Sequence, residues 1–198
     1  MKPQFYTAKE NNAAFTLVEL LVAIAISGIV LAAVTKLFIS TNRIYTVQKQ
    51  VVHLQQTIRA SLNIMSRDIR MAGLDPTGNA DAGIESANST NLRIKYDYNG
   101  SGTCDRDRNY QYNTSKERLE VESGGSGGFS GLSEEGRIQS MSFDYLLEDG
   151  TSSNNPTNPD KIRSVTVSVC GQITGAYADA RNNTYCFNNT VTPRNMGL

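Results

Sequence analysis

The sequence predicts an α+β chain: a long N-terminal helix, membrane-spanning at first and amphipathic afterwards, packed on a C-terminal antiparallel β-sheet domain. Three observations carry this. Residues 15–35 read FTLVELLVAIAISGIVLAAVT, with Glu19 as the only charge. Apolar residues then recur at helical spacing as far as Ile69, and from Gly73 the pattern changes to short alternating runs between Asn, Gly and Ser clusters.

Taken in order, residues 1–14 form a polar leader carrying Lys2, Lys9 and Glu10, a weakly positive flank of the kind that stays in the cytoplasm. Residues 15–35 follow as a transmembrane helix, because about 20 residues rising 1.5 Å each cross the roughly 30 Å hydrocarbon core of a bilayer. A cleaved secretory signal would also fit the start, with Ala23-Ile24-Ala25 as its small-residue site. That site lies inside the apolar run rather than after it, and a carboxylate is foreign to such a region. A buried core helix and an ordinary signal anchor are the other readings. Glu19 bears on all of them, since an acid in hydrocarbon costs about 2.5–3.5 kcal/mol and asks for a partner. Its local role would be the capping box Thr16-Leu17-Val18-Glu19, a helix start and nothing more.

Residues 36–72 continue the helix. No Gly or Pro interrupts Ile29 to Ala72, and Leu37, Ile44, Val51, Leu54, Ile58, Leu62, Met65 and Ile69 form one apolar stripe. Gly73 and Asp75-Pro76 supply the stop. The polar face carries Lys36, Arg43, Lys49, Arg59, Arg67 and Arg70 against a single Asp68, whereas residues 73–198 are net acidic. Solvation explains this face. Contact with acidic neighbours, or with headgroups near Lys36 and Arg43, is the alternative. His53 has no metal-ligand partner at helical spacing and reads as a surface residue.

Residues 73–198 form the exported β-rich domain, with strands expected at Leu92–Tyr98, Tyr110–Asn113, Arg118–Glu122, Ile138–Leu147 and Ile162–Ile173. In the last, the β-branched residues at odd positions make one clean face that should lie on the helix stripe. Loops are expected at Asn99–Asn109, Gly124–Gly136, Glu148–Asp160 and Gly175–Asn183. Three Cys suit an oxidising compartment, and Cys104, Cys170 and Cys186 permit three pairings.

Composition excludes several chemistries. With 19 Lys and Arg against 19 Asp and Glu there is no global field to gather nucleic acid. One His and three Cys leave little for a metal cage or a His-based catalytic set. The run Gly124–Leu132 lacks the GK[ST] ending of a phosphate loop and the closing Gly of a nucleophile elbow, so it reads as a flexible loop. Asp105 and Asp107, like Glu148, Asp149 and Asp160, are oxygen donors without EF-hand spacing. We expect no enzyme activity, no cofactor and no metal.

Ala14 followed by FTLVELLVAIAISGIV resembles the signal of type IV pilins and type II secretion pseudopilins, and MSRDIRMAGLDPTG at Met65–Gly78 resembles the helix end of PilW-type minor pilins. The resemblance implies a pilin-like fold and cleavage by a prepilin peptidase between Ala14 and Phe15, where the family usually has Gly before the cut. It also implies methylation of the Phe15 amine and pairing of Glu19 with a neighbouring subunit's amine during assembly. It further implies a disulfide between Cys170 and Cys186, leaving Cys104 free. The implied partners are the membrane, other minor pilins, the major pilin, the inner-membrane assembly platform and, indirectly, its ATPase. The implied location is the inner membrane with a periplasmic domain, then the pilus at the cell surface. A type II secretion minor pseudopilin is the alternative within the class, and a membrane-anchored adhesin or binding module the alternative outside it.

Overall fold

A computed structural model describes residues 15–125, 127–173 and 184–196. The chain divides into two compact units, one ending at Tyr45 and one beginning at Thr46. One helix, α1 (Leu17–Met71), passes from the first unit into the second. Among the described residues the strands are β1 (Gly83–Ala87), β2 (Asn91–Tyr96), β3 (Arg106–Asn113), β4 (Arg118–Ser123), β5 (Phe129–Gly131), β6 (Ile138–Leu147), β7 (Ser152–Ser153), β8 (Ile162–Gln172) and β9 (Thr184–Val191). The fold is α+β, as expected, but it holds two antiparallel sheets: five strands in the order β1-β2-β3-β4-β5 and four in the order β7-β6-β8-β9.

In the second unit, α1 buries Leu54, Ile58, Leu62, Met65 and Ile69 in the core that both sheets share. The expected stripe is therefore buried from Leu54 onward and half-buried at Val51, whereas Leu37 and Ile44, in the first unit, are exposed. Gly171 on β8 lets the helix approach. A Cβ there would lie 2.8 Å from Leu54 Cδ1 and 3.1 Å from Ile58 Cδ1, closer than packed carbons come.

Alternation sets the sheet faces, and bulges adjust it. In β8, Val165, Val167 and Val169 are buried at odd positions, yet Ile162 is buried too. Leu147 pairs with Ile162 and Leu146 with Ser164, so Arg163 is an extra residue that shifts the phase by one. β6 does the same at Gln139, which lets Ile138 and Met141 both point inward. The two sheets are joined by Phe143 N–H donating to Ser89 O at 2.9 Å and by Tyr145 Oη donating to Asn88 O at 2.8 Å.

The structure adds β1, β5, β7 and β9 to the five strands that the sequence predicts, and β3 begins at Arg106 rather than Tyr110. β5 lies within the Gly/Ser run expected to be a flexible loop, where Phe129, Ser130 and Gly131 pair with Glu122, Val121 and Glu120. β7 and a short 3-10 turn at Pro159–Lys161 occupy the expected loop 148–160. The expected loop Gly175–Asn183 lies outside the described residues.

Asp68 corrects the reading of the helix face. Placed with the solvated charges by sequence, it is 7% exposed and faces the five-stranded sheet. Its carboxylate accepts hydrogen bonds from Tyr96 Oη of β2 at 3.1 Å and Tyr110 Oη of β3 at 2.5 Å, and it lies 3.8 Å from Arg108 Nε. Two residues earlier, on the opposite side of the helix, Ser66 Oγ accepts from Asn189 Nδ2 of β9 at 2.7 Å, which ties the helix to the other sheet. The helix then ends at Gly73, whose φ of +77° favours Gly, and a Cβ there would lie 2.5 Å from Asn195 O.

Asp68→Ala should therefore destabilise the second unit by about 3 kcal/mol, because it strands two buried hydroxyls and a neighbouring guanidinium. Urea unfolding followed by circular dichroism measures this. Tyr96→Phe, which removes one donor and leaves the carboxylate two partners, should cost about 1 kcal/mol.

Candidate functional site

The N-terminal segment is the candidate site, and its chemistry starts from exposure. Phe15 is 88% exposed, and every residue from Phe15 to Tyr45 is exposed. Over this stretch the helix holds a window of mean hydropathy 2.7 with none of it buried, so it is long and apolar enough to cross a membrane. An uncovered apolar surface of this kind calls for lipid or other helices.

Through Thr35 the polar side chains of the segment, those of Thr16, Glu19, Ser27 and Thr35, find partners within the helix. Thr16 N–H donates to Glu19 Oε2 at 3.1 Å, Thr16 Oγ1 lies 3.2 Å from the same oxygen, and Glu19 N–H donates to Thr16 Oγ1 at 3.2 Å. This is the reciprocal capping box the sequence offered. Ser27 Oγ donates to Ala23 O at 2.7 Å and Thr35 Oγ1 to Leu31 O at 2.8 Å, so both hydroxyls turn back on the preceding turn rather than asking for water. The carboxylate sits at the positive end of the helix dipole, where a negative charge is favoured. It also lies four residues from Phe15. A cationic amine brought beside it from another chain would be attracted by about 4 kcal/mol at 4 Å and an effective dielectric near 20, before desolvation. Ala14 and the leader 1–14 lie outside the described residues.

In the second unit, Cys170 and Cys186 stand directly opposite each other on β8 and β9, 4.1 Å apart at Cα, and are disulfide-bonded on the face turned away from the core. Cys104 is a free, half-buried thiol whose hydrogen points to Asp81 O at 3.3 Å, and burial raises its pKa. His53 is exposed, 3.9 Å from an equally exposed Glu134. Asp107 is held by Arg93 in a two-point pair at 2.9 and 2.7 Å, which lowers its pKa, and Asp105 accepts from Tyr98 N–H at 2.7 Å. Asp149 closes its own turn on Thr151. Among the described residues no group of three or more His, Cys, Asp or Glu is placed to hold a metal.

The basic residues of α1 are all exposed, and Arg59 lies over the Phe187 ring at 5.3 Å. Sequence reasoning missed the buried cluster of Asp68, Tyr96, Tyr110 and Arg108. A signal existed: Asp68 is the lone acid among six cations and immediately precedes the core residue Ile69. Its tyrosine donors lie on strands that only the folded sheet brings to it.

Residues 47–192, more than half of the chain, match the family described as prepilin peptidase-dependent protein B, and residues 9–35 match the prokaryotic N-terminal methylation motif. No curated protein matches the chain. Among solved structures it is similar to a type IV-like pilin from Thermus thermophilus at 10% identity and a TM-score of 0.44, covering 73% of this chain and 98% of that one.

Two outcomes follow from the second unit. Burial, the Asp68 charge and the Asp68 hydrogen bond push Tyr96 up to about 12 and raise Tyr110 as well. Unfolded tyrosine titrates near 10, so above that pH the unfolded state loses protons first. Stability that is complete below pH 10 should fall as pH rises towards 12. Thermal midpoints between pH 8 and 11.5 should show this slope, shallower in Tyr96→Phe. Reduction of the disulfide should cost about 3 kcal/mol. Non-reducing peptide mapping should link Cys170 to Cys186, unchanged in Cys104→Ser and absent in Cys170→Ser.

Proposed function

The chain belongs to the prepilin peptidase-dependent protein B family, and from that premise we propose that it is a minor pilin of the PilW type that helps initiate or tip a type IV pilus. In this reading residues 1–14 are the leader, and prepilin peptidase cuts between Ala14 and Phe15. The new Phe15 amine is methylated. Residues 15–35 then hold the protein in the inner membrane, with residues 36–72 and the β-rich domain 73–198 in the periplasm, until the subunit is moved into the filament. Its partners are other minor pilins, the major pilin and the inner-membrane assembly platform, and it acts by assembling rather than by catalysis.

The observation that carries this reading is the methylation motif at residues 9–35, set on an apolar helix whose only charge through Thr35 is Glu19. A plain anchor has no use for that acid. A pilin does, because the carboxylate can leave its capping box for the amine of the next subunit. The low-copy role rests on the long polar connections of the exported domain, such as residues 97–105, which a bulk subunit would carry on every copy. A type II secretion minor pseudopilin would share the processing and the helix, and differs in the filament it enters.

Mass spectrometry of the mature protein should find an N-terminal peptide beginning at Phe15 and 14 Da heavier for one methyl group. Intact Met1, or a start after Ala25, would overturn the proposal. Glu19→Ala should insert normally yet reduce incorporation into sheared pili by at least about tenfold, as expected for losing an interaction worth more than 1.4 kcal/mol. Quantitative proteomics of sheared pili should find the wild-type protein far below the major pilin.

A further inference from the structure

Beside Asp68 the second unit carries a groove that the fold does not fill. It has a volume of about 320 Å³ and is lined by Ile64 and Arg67 of α1, Arg108 and Tyr110 of β3, Val121 of β4 and Leu132, with Asp68 at its base. Ile64 is 46% exposed on a helix that otherwise turns its large aliphatic side chains inward from Leu54 on. Val121 and Leu132 are half-buried against the core, so the groove has an apolar wall open to solvent.

Its charged lining is net positive, with Arg67 and Arg108 against Asp68. Asp68 is already engaged by Tyr96, Tyr110 and Arg108, which leaves its charge compensated. Arg67 at the rim is exposed and has no carboxylate partner among the described residues. Lys49, Arg59 and Arg70 share the exposed side of the helix, and from Thr46 to Met71 the only acid on α1 is the buried Asp68. An aliphatic wall next to an unpaired guanidinium selects an occupant that offers an apolar side chain beside a carboxylate. Burying the apolar part excludes water from the ion pair, which makes the charge contact stronger than an open surface pair.

We propose that this groove docks an acidic, apolar-tipped segment of a different pilin-type subunit, with Ile64 receiving the apolar side chain and Arg67 the carboxylate. The proposal rests on the assembly reading above and names the surface through which the exported domain joins its neighbour.

The test uses the full chain in cells, with a photo-crosslinking residue in place of Ile64 and, as a control, in place of the exposed Asn188 on β9. Irradiation should join position 64 to another pilin-type subunit at a peptide containing Asp or Glu. Arg67→Glu should lower that yield at least about fivefold, and changing the mapped acid to Lys in the partner should restore it. The Cys170–Cys186 disulfide, scored in the same samples, shows that the variant folds. A second copy of this chain as the adduct, a lipid adduct, an equal yield from position 188, or a yield unchanged by Arg67→Glu overturns the docking proposal. If the protein is found in filaments and position 64 gives no adduct, the groove proposal alone fails. If it is absent from filaments, the assembly reading fails with it.

Discussion

The carboxylate of Asp68 is the point on which the second unit of the protein turns. A charge at 7% exposure is tolerable only when its lone pairs are filled, and here two tyrosine hydroxyls and a guanidinium from β2 and β3 converge on it. Because Asp68 sits a fraction of a turn to one side of the core stripe of α1, satisfying it fixes the rotation of the helix as well as its height on the sheet. Ser66 and Asn189 fix the other flank, and the backbone N–H of Arg194 caps Arg70 O at 3.2 Å. Apolar packing alone would let a ridge of Leu and Ile slide by a turn. The polar contacts select one register.

Polar groups elsewhere are handled by the same rule of internal satisfaction. On the outer face of the five-stranded sheet, Arg93 joins Glu85 and Asp107, Lys95 joins Glu85, and Arg118 joins Glu120 and Glu135. Burial alone would raise the pKa of Glu120, but hydrogen bonds from Asn113, Arg118 and Gln111 outweigh it and hold the group low. This face is spent on itself. Exposed Arg67 of α1 has no carboxylate partner among the described residues, and the two surfaces differ in what they can offer a partner for that reason. In the apolar segment the same rule gives Thr16, Glu19, Ser27 and Thr35 partners inside their own helix, the condition for entering hydrocarbon. The capping box is also a reversible arrangement, since its bonds are few and face outward.

By itself the sequence determined the features that depend on neighbours along the chain. The apolar run, the capping box at Thr16 and Glu19, the helix stop at Gly73 and the alternation of Val165, Val167 and Val169 are all local, so spacing and propensity suffice to read them. Tertiary structure alone decided what depends on distant partners. Asp68 is inside because Tyr96 and Tyr110 arrive from strands 28 and 42 residues away. Phe129–Gly131 is a strand because Glu120–Glu122 offers it an edge, against the preference of a Gly/Ser run for open loop. The sheet is split in two, and Arg163 and Gln139 bulge, because each buried face must meet one shared core. A short-range pattern carries no record of such pairings, for their energy comes from contacts that exist only once the chain has closed on itself.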